Sequence, residues 1–126
     1  MVWNGNKYNV TRDEYIQRVL NTYRVTPGTS GMIRRPDRLL AEQWHGRGIP
    51  LSIVENAMIL AVFRRLFRAP GLPPLNTIRS LAYFSPVIEE ILQLRISPQY
   101  FEYARAKIKR CLANPPSTLA ARLPHR

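Results

Sequence analysis

The sequence predicts an all-α protein, a compact bundle of five or six helices around a central apolar helix. Three observations point there. Apolar residues recur at three- and four-residue spacing through most of the chain. Helix-start signals precede those stretches at Thr11, Pro36, Pro50, Ser85 and Ser97. No stretch shows sustained alternation, and no Asn-Gly or Asp-Gly joins two β-like runs.

The elements follow in order. Residues 1–10 are polar with two aromatics, Trp3 and Tyr8, and read as an N-terminal arm. Thr11-Arg12-Asp13-Glu14 is a capping box. Tyr15, Ile16, Val19, Leu20 and Tyr23 then mark the stripe of a helix over about 12–24. Residues 26–31, TPGTSG, form a loop without phosphate-loop spacing or its Lys. A second helix starts near Pro36, with Leu39, Leu40, Gln43 and Trp44 as its stripe, and stops at His45-Gly46-Arg47-Gly48.

Ile49-Pro50-Leu51 opens the third helix, predicted to reach about Arg68, with Ser52 and Glu55 spaced as a second capping box or, alternatively, the helix beginning already at Pro50. Residues 57–63 are apolar all round the helical wheel, which predicts the central helix of the bundle. Pro70, Gly71, Pro73 and Pro74 break the chain. Thr77 to Phe84 reads as a short helix on Ile78, Leu81 and Ala82. Ser85-Pro86 caps a further segment to about Leu94, with Val87, Ile88, Ile91 and Leu92 as core. Ser97-Pro98 repeats the start signal. Tyr100, Phe101, Ala104, Ile108, Cys111 and Leu112 share one side of this last helix, and Glu102, Tyr103, Lys109 and Arg110 face away, with Arg105 and Lys107 at the borders. Residues 114–126 are Pro-broken and are expected to be a disordered tail, leaving one domain over 1–113.

The chain has 126 residues, of which 45% are hydrophobic, enough for a folded core. Its longest apolar run ends at Arg64, so no bilayer span is expected, and the first residues carry no signal-type apolar core. Cys111 is the only cysteine, which excludes an intrachain disulfide and predicts a reducing, cytoplasmic setting.

Catalytic groups are few. His45 and His125 are the only histidines, and no second cysteine joins them for a zinc site. Glu89 and Glu90 are adjacent, but neighbouring helical residues diverge by about 100°, so they read as a solvated face rather than an acid–base dyad. Cys111 lies on an apolar stripe and reads as an inert buried thiol. The expectation is a non-enzymatic protein without metal or cofactor.

Charge is the functional signal. Nineteen Lys and Arg face eight Asp and Glu, a formal net charge of +11, and only Lys7, Lys107 and Lys109 are lysines. Guanidinium forks match phosphate oxygens bidentately, so a polyanion, DNA or RNA, is the expected partner. The charges are scattered along the chain rather than gathered beside one amphipathic helix, which argues against a membrane surface. The candidate contacts are Arg34, Arg35 and Arg38; Arg64, Arg65 and Arg68; Arg79; and Arg105, Lys107, Lys109 and Arg110. Tyr103 is placed to stack on a base or to pack between helices. The third helix is too apolar to lie in a major groove, so backbone contacts are expected over base reading.

Between Leu40 and Leu92 the sequence runs Glu42-x-Trp44, Gly48-Ile49-Pro50-Leu51-x-x-Val54-x-x-Ala57, Arg79-Ser80-Leu81-Ala82-Tyr83-Phe84 and Ile88-x-x-Ile91-Leu92. This pattern resembles the small helical domain of DnaD-like replication-initiation and phage replisome-organiser proteins. The resemblance covers under half the chain, and the Pro-rich break at 70–74 and Pro86 depart from it. It implies DNA binding in replication initiation, with Arg79, Tyr83 and the following helix near the nucleic acid. Size, charge and class also suit two alternatives: a small helical subunit of an RNA-guided, CRISPR-type effector complex, and a basic protein–protein adaptor. In each, protein partners in a larger assembly are expected.

Overall fold

The computed structural model describes residues 10–113 as five α-helices and one 3₁₀ turn: α1 (Arg12–Val25), α2 (Arg35–Gly46), α3 (Leu51–Leu66), the 3₁₀ turn (Leu81–Phe84), α4 (Ser85–Leu94) and α5 (Pro98–Ala113). The arm and tail read from the sequence lie outside the described residues, apart from the end of the arm.

Local signals set most boundaries. The Thr11 hydroxyl accepts from the Glu14 amide, and the Glu14 carboxylate accepts from the Thr11 amide, both at 3.1 Å. Gly48 leaves α2 with φ +75°, a conformation that costs a residue with a Cβ. The Ser97 hydroxyl accepts from the Tyr100 amide at the start of α5. Arg95 ends α4 in the left-handed region.

Helix α3 contacts α1, α4, α5 and the 3₁₀ turn. Within α3 only Ser52 and Arg64 are exposed. α2 packs on α1 and on the 3₁₀ turn. Tyr23, Trp44, Val54, Met58, Leu60, Leu81, Phe84 and Ile88 form the heart of one core. The Tyr15 hydroxyl donates to the Ile49 carbonyl at 2.7 Å, tying α1 to the turn before α3. Burial pushes that phenol up to about 12, so the link survives through ordinary alkaline pH.

Six expectations are corrected. Residues 77–80 are not helical: the Ile78 amide donates to the Gly28 carbonyl at 2.7 Å, and the Ser30 amide to the Ile78 carbonyl at 2.9 Å. This pairing with the 26–31 loop holds the segment extended, and only Leu81–Phe84 coils, capped by the Ser80 hydroxyl on the Ala82 amide. The buried stripe of α2 is Asp37, Ala41 and Trp44, while Leu39 and Gln43 face solvent. Ser52 caps nothing, because α3 is already helical at Leu51, and α3 ends at Leu66 rather than Arg68. Ser85 is inside α4, whose N-cap is Phe84. Ala82, Leu92 and Leu112 are exposed rather than core.

One carboxylate joins the two halves of this arrangement. Asp37, 1% exposed, accepts from the Arg34 amide and from the Leu81 amide, each at 2.9 Å. It therefore closes the first turn of α2 and the start of the 3₁₀ turn together. Nearby, the Tyr23 hydroxyl is buried without a hydrogen-bond partner. Burial first, and then the charge of Asp37, raise its pKa.

Asp37→Ala strands one buried and one part-buried amide, so urea denaturation should show a loss of about 3 kcal/mol, with Asp37→Asn losing less because it keeps an acceptor. Tyr23→Phe removes a hydroxyl that makes no hydrogen bond, so the same measurement should show no loss, or a gain of up to about 1 kcal/mol.

Candidate functional site

Acidic side chains are largely consumed inside the fold. Arg12 reaches Asp13 at 3.9 Å and Glu42 at 3.1 Å, and Arg18 reaches Glu55 at 3.0 Å. Arg47 grips Glu89 through both guanidinium nitrogens, at 2.7 and 3.3 Å. Arg64 grips Glu90 in the same way, with one contact at 2.8 Å. Glu14 and Asp37 are engaged as caps. Among the described residues Glu102 alone has neither an ion-pair nor a hydrogen-bond partner. Adjacent on α4, Glu89 and Glu90 thus serve two different arginines, as their 100° divergence requires.

The predicted arginine clusters separate accordingly. Arg64, Arg65 and Arg68 do not form one surface. Arg64 is committed to Glu90 on α4. Arg65 donates to the Asn76 carbonyl at 2.8 Å and to the Tyr83 hydroxyl at 3.3 Å, and lies over the Tyr83 ring. Gly28, at φ +93°, leaves room for it: a Cβ there would sit 3.2 Å from the Arg65 Nε. Arg68 donates to the Pro73 carbonyl at 2.7 Å. These two arginines fasten the Pro-rich connection back onto α3.

The other residues fall on two surfaces. Arg34 donates to the Arg79 carbonyl at 2.8 Å, which brings Arg34, Arg35, Arg38 and Arg79 to the rim formed by the start of α2 and the 76–80 segment. Arg35, Arg38 and Arg79 are exposed and, among the described residues, have no carboxylate within 4 Å. The second surface is the outside of α5. Arg105, Lys109 and Arg110 are exposed there, also without a carboxylate partner. Beside them Tyr103 is 52% exposed. Its ring meets Phe63 edge-on at 6.0 Å and lies 6.5 Å from Tyr100. Lys107 places its Nζ 4.7 Å from the centre of Phe67, 5.8 Å from that of Tyr103 and 3.5 Å from the Tyr103 hydroxyl. Phe67 was not a sequence candidate. Nothing in the chain signals that it would meet a lysine forty residues later.

Between α1, α3 and α5 lies an open apolar cavity of about 340 Å³, lined by Thr22, Thr26, Met58, Ile59, Val62 and Ile108 among others, with Glu55 and Arg105 at its lips. Of its polar groups, the Thr26 hydroxyl donates to the Thr22 carbonyl and Glu55 is held by Arg18. Cys111 is buried, and His45 packs edge-on against Tyr15. Among the described residues no three His, Cys, Asp or Glu side chains gather as a metal site, and no helix is long and apolar enough to cross a membrane.

No protein-family model, curated protein or solved structure matches this chain.

Hydrogen bonds from Arg47 and Arg64 hold Glu89 and Glu90 below the ordinary carboxylate value of 4.5. A lowered folded-state pKa gives stability that is present above the unfolded value and lost as pH falls through the folded one. The melting-temperature gap between the wild type and the Glu89→Gln, Glu90→Gln double variant should therefore be widest above about pH 4.5 and should narrow as the pH falls below it.

Proposed function

We propose that this chain is a non-enzymatic nucleic-acid-binding protein that contacts the phosphate backbone through arginine-rich helix faces. One observation carries the reading: all the described carboxylates but Glu102 are spent on internal pairs and caps, while the cations of α5 and of the α2 rim stand in solvent and outnumber that one free carboxylate. A surface so divided holds a positive field towards any polyanion. The free cations are mostly arginine, whose fork takes two phosphate oxygens at once.

The apolar character of α3 keeps that helix inside the bundle and favours contacts with phosphates over base edges. The proposed setting is cytoplasmic, supported by a single buried thiol, and within a replication-initiation or mobile-element nucleoprotein assembly, supported by the resemblance between residues 40 and 92. On that reading Arg79 stands beside Arg34 on the α2 rim, and Tyr83 beside Arg65.

Fluorescence anisotropy with single-stranded DNA, duplex DNA and RNA, from about 50 to 200 mM salt, tests the proposal. Micromolar or tighter binding with a steep negative log–log slope is expected. Changing Arg105, Lys109 or Arg110 singly to Ala should each lower the slope by about one unit if that side chain meets a phosphate. Absence of binding to all three probes at low salt would reject the reading and leave an acidic protein as the partner to seek.

A further inference from the structure

The solvent face of α5 is not uniform. At 100° per residue, Tyr103, Lys107 and Arg110 fall within an arc of about 60°, and Glu102, Lys109 and Arg105 fill the neighbouring arc. Glu102, the carboxylate without an internal partner, therefore offsets the second arc and leaves the first purely cationic. Where that first arc meets α3, four rings converge. Phe63 is the hub, with Phe67 at 5.1 Å, Tyr100 at 6.0 Å and Tyr103 at 6.0 Å. Tyr103 and Phe67 are the two most exposed of the four, at 52% and 38%. The Lys107 ammonium bridges them.

Packing alone does not require this arrangement. Phe101, Ala104, Ile108 and Cys111 already form the buried stripe of α5, and Tyr103 leaves half of its surface in water on the stripe without a carboxylate. A cation fixed between two exposed rings offers a phosphate contact and π-surface side by side. A duplex can use only the cation, because each base face is covered by the next pair and is freed only at the cost of unstacking. A single strand offers both groups at once.

We infer that the Tyr103–Lys107–Phe67 shoulder is a stacking platform for an unpaired base, which makes single-stranded nucleic acid the preferred ligand of the α5 face. The inference rests on the phosphate-binding reading above and adds a base-dependent component to it.

The test compares three fluorescein-labelled probes by anisotropy at one salt concentration: an oligothymidine, an abasic strand of the same length and charge, and a duplex. The wild type should bind oligothymidine at least 5-fold more tightly than either of the others. Tyr103→Ala should lose roughly 5- to 150-fold on oligothymidine, the range for one base–aromatic stack, with little change on the abasic strand and an unaltered salt slope. Tyr103→Phe should keep most of the affinity. Equal wild-type affinity for the oligothymidine and abasic strands would overturn the inference while leaving the phosphate reading intact, and it needs no variant to fold. Loss at Tyr83→Ala in place of Tyr103→Ala would overturn it as well, by placing the stack beside Arg65. Binding to none of the probes would reject both readings.

Discussion

Two amides forty-seven residues apart in the chain, those of Arg34 and Leu81, share one buried carboxylate, and much of the architecture depends on that sharing. Asp37 accepts from Arg34 at the start of α2 and from Leu81 at the start of the 3₁₀ turn. Either amide would otherwise be an unmet donor at a helix terminus. A carboxylate in this position is also favourably placed for the α2 dipole. Because Leu81 and Phe84 are fully buried beside it, the clasp fixes where the chain enters the core after its Pro-rich excursion. From there α4 inherits its position against α3. A hydroxyl could satisfy only part of this demand, and an apolar side chain none of it.

The same economy governs the charges. Arg12, Arg18, Arg47 and Arg64 tie α1 to α2, α1 to α3, the α2–α3 turn to α4, and α3 to α4. Each pair is substantially solvated, so each adds little to stability alone. Their larger effect is on the electrostatic surface. By drawing the carboxylates inward to the helix seams, they leave the α2 rim uncompensated and the α5 face with Glu102 alone against its cations. Arg65 and Arg68 differ again, because they spend donors on backbone carbonyls but keep their full charge.

Elements with local causes were legible in the sequence. The Thr11–Glu14 box, the Gly48 exit and the Ser97-Pro98 start each depend on residues within one turn, and each is where the spacing put it. The all-α class followed from the same local periodicity. Residues 77–80 were misread because their extended form is dictated by Gly28 and Ser30, some fifty residues earlier in the chain. The role of Asp37 was hidden for the same reason, since Leu81 is nowhere near it in sequence. The site was legible in outline: the basic outer face of α5 follows from helical spacing. Arg64 could not be separated from Arg105 on sequence grounds, because both sit on helices among apolar residues. Only the position of Glu90 distinguishes them. The meeting of Phe67 with Lys107 likewise depends on how α5 lies across α3.

Helix α5 packs principally on α3, through Phe101, Ala104, Ile108 and Cys111 on one stripe. Its outer side carries Arg105, Lys107, Lys109 and Arg110 within two turns, and these repel one another. A helix held by a single seam and loaded with like charge is a natural unit of sub-global opening: its amides can exchange with solvent at a free energy below that of the whole bundle. Anything polyanionic that binds this face removes the self-repulsion and closes the seam in the same act. Occupancy of the surface and protection of the helix from exchange are then one thermodynamic quantity seen from two sides.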